Sequence, residues 1–402
     1  MTLGTVHTVR PDLHLIEGHH PHNLWDDPDL PTIAVYRSGS RLYLLDTGAG
    51  PVQRDALRGV AERYRDQVSD IFLLNSHGHL DHLGNNDVLG ELGAPGVRRR
   101  HLFPRAARPA LDFESFFSRM YKRGIPYFDY VSGLSVPPEG IASLLRALGA
   151  PASLSGEDVA LLGKQIADLG LLPAVAGFLP SIVVDILLQT YPAVHPSVET
   201  MTDYEDLGAA EEITIGETTW TGWSFTDEQG QPEVQALQSG GHSSGGLVFY
   251  LPQSKFLMLA DETSSVPIWA DSDPRNTIET ARRAISMIDT GHLELLCAGH
   301  RPMTAARGDE ARAALAGIIG SGAEFATVVE GTISRFPDGV CIDELYQVLV
   351  GEAEPSSIIG LLRRLQFPVF STFLKLTVLN HCLLQGLPTS ADDRGRPTFR
   401  LA

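Results

Sequence analysis

The stretch Ser76–Asn86, SHGHLDHLGNN, decides how the rest of the chain is read. It follows a short apolar run, Ile71 to Asn75, and places His77, His79, Asp81 and His82 within six residues. In an extended turn, side-chain direction repeats every second residue. His77 and His79 therefore project to one side, while Asp81 and His82 can turn toward a second point nearby. Imidazoles and a carboxylate are ligand types suited to zinc and similar divalent metals. The bland alternative is a polar loop with accidental histidines, and four ligand-type residues in this order behind a buried strand argue against it.

Upstream, IAVYR (Ile33 to Arg37) and LYLLD (Leu42 to Asp46) are apolar runs separated by Ser38, Gly39, Ser40 and Arg41, which predicts a hairpin. Pro51 sits at a favourable first helical position, and Val52, Ala56, Leu57, Val60 and Tyr64 recur at helical spacing before the strand at Ile71. Residues 103–205 are rich in Leu, Ala, Pro and Phe, with helical periodicity over Leu144 to Gly149, Val159 to Leu172 and Ile182 to Tyr191. They read as a helical insertion, a lid or a dimerisation element. Strand-like runs resume at Glu212 to Phe225, Val234 to Ser239, Leu247 to Leu251 and Lys255 to Asp261, with turns at Gly216 and Pro252. A helix over Arg275 to Ile288 and a buried strand over Leu293 to Gly299 follow. The expected organisation is a core whose halves are residues 1–102 and 206–305, the insertion between them, and a small, mainly helical, winged-helix-like unit over 306–402.

The chain has 402 residues and a formal net charge of −18, which repels phosphate backbones and anionic lipid and disfavours nucleic acid as a partner. The basic run Arg98 to His101 is short enough to be a solvated loop. Cys297, Cys341 and Cys382 are widely separated and form neither a disulfide framework nor a thiolate metal motif, as expected in the cytoplasm. No secretory signal is readable in MTLGTVHTVRPDLHL. The most apolar stretch, Leu169 to Val184, is interrupted by Pro173 and Pro180, so no membrane span is expected.

With HxHxDH at the end of a strand, the chain resembles the metallo-β-lactamase superfamily. Later motifs of that family occur in order: His242 in GGHSSGG, Asp261 in LADET and His300 in CAGHRPM, each near the end of an expected strand, with Asp46 in an early DTG. The resemblance covers roughly residues 10 to 100 and 210 to 305. It implies an α/β fold, a four-layer αββα sandwich of metallo-β-lactamase type. It also implies a dinuclear site in which His77, His79 and His242 bind one metal, Asp81, His82 and His300 the second, and Asp261 bridges them. Asp81 and Asp261 are then the catalytic carboxylates, and Asp46 orients a ligand histidine from behind. The family's diiron flavoproteins carry a glutamate where this chain has His79, which disfavours that branch.

Such a ligand set takes two divalent metal ions, with zinc favoured by the histidines and iron or manganese accepted. A divalent metal lowers the pKa of bound water from about 15.7 toward about 7, so a bridging hydroxide is available at neutral pH. The leading expectation is a hydrolase of thioesterase or lactonase type, cleaving an ester, thioester, lactone or amide bond in a small, fairly apolar substrate. A phosphodiesterase or nuclease, and a single-iron oxygenase of the same superfamily, are the alternatives. Phe116, Phe117, Tyr121, Tyr127, Phe128 and Tyr130, early in the insertion, are candidate pocket walls, and the insertion could also join a homodimer. His14, His19, His20 and His22 are expected at the surface, and Ser243 and Ser244 to shape a turn rather than act as nucleophiles.

Overall fold

Strands with apolar residues on both faces need a covering layer on each side, and the chain provides them. The computed structural model describes residues 2–20, 29–111, 161, 201–269, 271–300, 305–364, 371–387, 389–391 and 397–401. Seven strands form the first sheet in chain order: β1 (Val6–Arg10), β2 (Leu13–Ile16), β3 (Ile33–Ser38), β4 (Arg41–Leu45), β5 (Asp70–Leu74), β6 (Arg98–Phe103) and β7 (Met201–Asp203). The predicted hairpin is β3 and β4, with Val35 opposite Leu44. From β4 to β7 the pairs are parallel. Parallel neighbours need a long connection, and helix α1 (Gly50–Glu62), with Pro51 in its first turn, supplies the one between β4 and β5. After β5 the histidine-rich loop runs into the short helix α2 (Leu80–Leu83).

Arg98 to His101, expected as a solvated loop, is instead the first part of β6. The arginine side chains stay exposed while His101 is buried. Arg98 pairs with Asp70 at 2.7 Å and Arg99 donates to the Leu92 carbonyl at 2.6 Å, so the run is held by its neighbours along the sheet end.

The second sheet has six strands in the order β13-β12-β11-β10-β9-β8, namely β8 (Glu211–Ile215), β9 (Thr218–Thr226), β10 (Pro232–Gln238), β11 (Leu247–Leu251), β12 (Phe256–Met258) and β13 (Leu295–Cys297). All neighbours are antiparallel except β12 and β13, which helix α3 (Pro274–Asp289) connects. The layering is legible residue by residue. In β11, Leu247, Phe249 and Leu251 enter the core between the sheets, while Val248 and Tyr250 face the helical side with Ala281, Ala284 and Met287 of α3. In β4 and β5, Tyr43, Leu45, Phe72 and Leu74 face the inter-sheet core, and Leu42, Leu44, Ile71 and Leu73 pack with Leu57 and Val60 of α1. The result is the expected αββα sandwich.

Helix α4 (Gly308–Ile333) leaves the sandwich for the C-terminal unit, which holds β14 (Val340–Cys341), α5 (Ile342–Glu352), α6 (Ile358–Arg364), α7 (Ser371–Leu384), β15 (Thr389–Ala391) and β16 (Pro397–Phe399). The strands form a three-stranded sheet, β14-β16-β15. By length and composition α4 could cross a membrane. Here Leu315 and Ile318 pack in the cluster with α3, and Phe325, Val329 and Ile333 in the core of the C-terminal unit.

The third helix of a winged-helix unit would normally enter a groove, but α7 is buried at Leu374, Lys375 and Thr377 to Cys382. Lys375 is held by Asp343 at 2.9 Å and lies over the Tyr346 ring. Of the expected insertion, residues 112–160 and 162–200 lie outside the described residues, and with them the six candidate aromatics from Phe116 to Tyr130. Its described ends are the 3-10 turn Arg105–Leu111 and strand β7, so the chain has rejoined the first sheet before position 205.

With α7 packed inward and a net charge of −18, the full chain is expected to leave the fluorescence anisotropy of a labelled DNA duplex unchanged at low salt. A salt-sensitive rise at micromolar protein would contradict this placement of the helix.

Candidate metal centre

Five strand ends at one end of the sandwich meet. Asp46 follows β4, His77 and His79 follow β5, and Asp81 and His82 lie on α2. His242 sits in the turn between β10 and β11, Asp261 follows β12, and His300 follows β13. One ligand atom each from His77, His79, His242 and Asp261 lie within 4.8 Å of one another, and the same holds for Asp81, His82, Asp261 and His300. Asp261 therefore belongs to both groups, and its two oxygens divide between them. Oδ2 lies 3.6 Å from His77 Nε2 and 3.3 Å from His242 Nε2. Oδ1 lies 2.9 Å from His82 Nε2 and 3.5 Å from His300 Nε2. His300 Nε2 also meets Asp81 Oδ2 at 2.8 Å.

These residues fit a cation. His77 Nε2, His82 Nε2 and Asp261 Oδ1 are buried atoms that make no well-aligned hydrogen bond, although the last two lie 2.9 Å apart, whereas buried polar groups in folded proteins are ordinarily satisfied. Their lone pairs converge on one small volume. Burial, helped by neighbouring His82 and His79, holds His77 well below the ordinary imidazole range, and burial also pushes His242 down to about 4. Both are neutral near pH 7, the form that binds metal. Burial opposes ionisation of Asp261, but His300, His82 and His242 around it hold its carboxyl well below the usual range. For His82 and His300 burial works against the charged form, and the carboxylates of Asp261 with Asp81, or with Asp29, outweigh it and push both well upward. That half of the site attracts positive charge, as a proton or as a metal.

A second rank of residues fixes the first. Asp46, at φ 58° in the left-handed region, accepts at Oδ2 from His82 Nδ1 at 2.8 Å and from Ser76 Oγ at 2.7 Å, and at Oδ1 from Ser76 N at 2.8 Å. His82 is thereby oriented with Nε2 toward Asp261. His300 has a matching support that the sequence reading missed: Asp29 Oδ1 lies 2.9 Å from its Nδ1 and 3.0 Å from His20 Nδ1. Glu262 was also missed. Its Oε1 accepts from the backbone of Gly241 at 2.8 Å and His242 at 3.0 Å, and its Oε2 from Thr277 Oγ1 at 2.7 Å. A Cβ on Gly241 would come within 2.4 Å of that Oε2, so the turn carrying His242 needs glycine there.

Trp269 lies against the histidines, its ring centroid 5.1 Å from that of His79 and 6.4 Å from that of His242. Ser243 and Ser244 do shape the turn. The Ser243 carbonyl accepts from Gly246 N at 3.1 Å, and Ser244 Oγ donates to Asp271 at 2.9 Å. Two of the N-terminal histidines, His14 and His20, depart from expectation. His14 is buried between Thr8 and Tyr64, at 2.9 and 2.6 Å, because β2 is covered on both faces. His20 lies beside His300, with ring centroids 5.6 Å apart. His22 is outside the described residues.

A sequence model of the metallo-beta-lactamase superfamily matches residues 26–151. A beta-lactamase domain protein from Burkholderia ambifaria superposes with a TM-score of 0.52 at 16% identity, over 99% of this chain and 94% of that one. A metallo-beta-lactamase family protein from Thermus thermophilus gives a TM-score of 0.50 at 16% identity, over 98% of this chain and 99% of that one. At such identity the likeness is one of fold. No curated protein matches the chain's sequence.

Removing the carboxylate behind His300 should be felt by a metal held there. Asp29→Ala is expected to weaken metal binding at the Asp81, His82 and His300 group by about 10- to 100-fold. Asp29→Asn, which keeps an acceptor oxygen, should recover most of it. Titration with a chromogenic competing chelator checks both, and equal affinity in wild type and Asp29→Ala would remove Asp29 from the site.

Proposed function

We propose that this chain, which carries the fold and the histidine-rich loop of the metallo-β-lactamase superfamily, is a dinuclear metal-dependent hydrolase of a small, fairly apolar molecule. The bond we assign to it is an ester, thioester, lactone or amide. The observation that carries this reading is the division of Asp261, one oxygen toward each of two complete ligand groups. Two divalent cations held there would supply a water nucleophile of lowered pKa and the Lewis acidity that polarises a carbonyl.

The chain's own residues would do the rest. Asp261 holds the two groups at a fixed separation, Asp46 and Asp29 orient His82 and His300, and Glu262 holds the turn of His242. His77 and His82 are sealed from solvent, whereas the side chains of Asp81, His242 and His300 keep 15%, 17% and 18% of their exposure. Substrate is therefore expected from that side, where Trp269 offers an aromatic wall beside His79 and supports an apolar substrate.

The histidine-rich donor set favours zinc, and the same set accepts iron or manganese. Three unpaired cysteines, two of them buried, support a reducing compartment such as the cytoplasm. A homodimer through the insertion is part of the proposal and is read from the mass of the native protein in solution. A phosphodiesterase acting on nucleic acid is disfavoured by the net charge and by the packing of α7. A single-iron oxygenase is disfavoured because the second ligand group is as complete as the first.

Elemental analysis of the native protein, paired with hydrolysis assays on thioester, lactone, β-lactam and phosphodiester substrates, tests the reading. Two metal ions per chain are expected, with Asp261→Ala depleting both groups together and chelation abolishing turnover. Saturation at one ion in correctly folded protein, or full activity after chelation, would sink it. His300→Ala is expected to lose most turnover while keeping its circular dichroism spectrum. Wild-type rates in that variant would place His300 outside the reacting centre.

A further inference from the structure

Beside Asp261 the loop that carries it is held by Gly299 N, which donates to the Ala260 carbonyl at 2.6 Å, and by the Glu262 carboxylate on Gly241, His242 and Thr277. Strand β12 ends at Met258, Ala260 adopts φ 47° in the left-handed region, and among the described residues from there to α3 there is no further helix or strand. Farther along the loop a second anchor lies outside the sandwich strands. Ser265, 1% exposed, donates from Oγ to the Ile318 carbonyl of α4 at 2.6 Å and accepts at the same oxygen from Gly322 N at 2.9 Å. The Ser265 backbone N–H donates to Ser321 Oγ at 3.1 Å, and Ser264 Oγ meets Ser321 Oγ at 3.1 Å. A Cβ on Gly322 would lie 2.6 Å from the Ser265 carbonyl oxygen and 2.7 Å from its Oγ, so helix and loop touch backbone to backbone. Gly317 and Gly320 on the same helix have nothing within 4 Å of the corresponding position.

Ile318, Gly322, Phe325 and Val329 follow helical spacing along one face of α4. Farther along that face, Phe325 and Val329 share an apolar cluster with Val266, which follows Ser265, and with Leu80, which stands between His79 and Asp81. One helix thus touches the loop of Asp261 directly and shares an apolar cluster with a residue of the histidine-rich loop.

We propose that the C-terminal unit is a working part of the metal centre, with Ser321 and Gly322 of α4 acting as positioning residues for Asp261 through Ser265. A bridging carboxylate must place two oxygens within a fraction of an ångström of their targets, and a loop this irregular reaches that precision only when its backbone is held. A methyl at position 322 would force the Ser265 backbone away from the helix, and Asp261 is four residues upstream in the same loop. The inference rests on the reading that Asp261 serves two metal ions.

The test is a cobalt(II) titration of the full-length chain, with absorption spectra and competing chelator giving stoichiometry and affinity for wild type, Gly322→Ala, Ser321→Ala, Ser321→Thr and Gly320→Ala. Gly322→Ala and Ser321→Ala are expected to lose about tenfold or more in affinity with altered cobalt spectra. Ser321→Thr, which keeps the hydroxyl, and Gly320→Ala, which adds its methyl in open space, should match wild type. Should Gly322→Ala fail to fold, Ser321→Ala on the partly exposed helix surface decides. Variants that melt at lower temperature yet bind two ions with wild-type affinity and spectrum would reduce the contact to ordinary packing and overturn the inference. A wild type that takes up fewer than two ions removes the dinuclear reading and this inference with it, whereas two ions in wild type with unchanged variants defeats this inference alone.

Discussion

Asp261 is a carboxylate kept ionised in a place where burial opposes charge, and the architecture around it exists to make that tolerable. Burial of an unpaired carboxylate costs several kcal/mol or more. Here the cost is offset by His82 and His300 on the Oδ1 side and His77 and His242 on the Oδ2 side. The imidazoles differ in kind. His77 and His242 are held neutral by burial, whereas His82 and His300 sit among further carboxylates that lift them. Such a cluster is poorly balanced by protons alone and well balanced by cations, which is why the orphaned lone pairs and the charge pattern point the same way.

The sandwich supplies the frame. Because β4, β5, β11, β12 and β13 are apolar on both faces, the ligands stand just past the strand ends. Parallel pairing of β4 with β5 and of β12 with β13 brings successive strand ends to the same edge, so Asp46 falls beside His82 and Asp261 beside His300. Asp46, just past β4, and Asp29, ahead of β3, then face the Nδ1 atoms of His82 and His300 that point away from the centre.

Much of this is legible in the sequence, and the parts that are not have physical reasons. The hairpin, helix α1 and the second sheet follow from period-two and period-3.6 patterns, and the seven residues facing the centre lie in short motifs because each sits just past a strand. Asp29 leaves no such signal, since its partner His300 is 271 residues away and only the closed fold brings them together. Glu262 stands next to Asp261, but its role depends on Gly241 and Thr277 approaching from two other segments. Arg98 to His101 misleads because a basic run looks solvated until one sees that it begins a strand whose exposed end needs partners. His14 misleads because LHLI alone does not reveal that β2 is buried throughout. Gly322 has a faint signal, for glycine inside a long helix costs about 1 kcal/mol against alanine and is usually kept for close packing.

The two ligand groups do not each belong to one sheet. His77, His79, Asp81 and His82 hang from the first sheet, and His242, Asp261 and His300 from the second. Each group in turn mixes residues of both. Any cation bound there would tie the sheets together at the edge where their apolar core ends, and its binding energy would add to the stability of the sandwich as a whole. Helix α4 reaches the same region, with Phe325 and Val329 in one apolar cluster with Leu80 and with Ser265 held at Gly322. The C-terminal unit therefore shares its apolar core with the end of the sandwich that carries the ligands. An appendage used only to hold a separate partner would have no need to share a core with the residue between two metal-facing side chains.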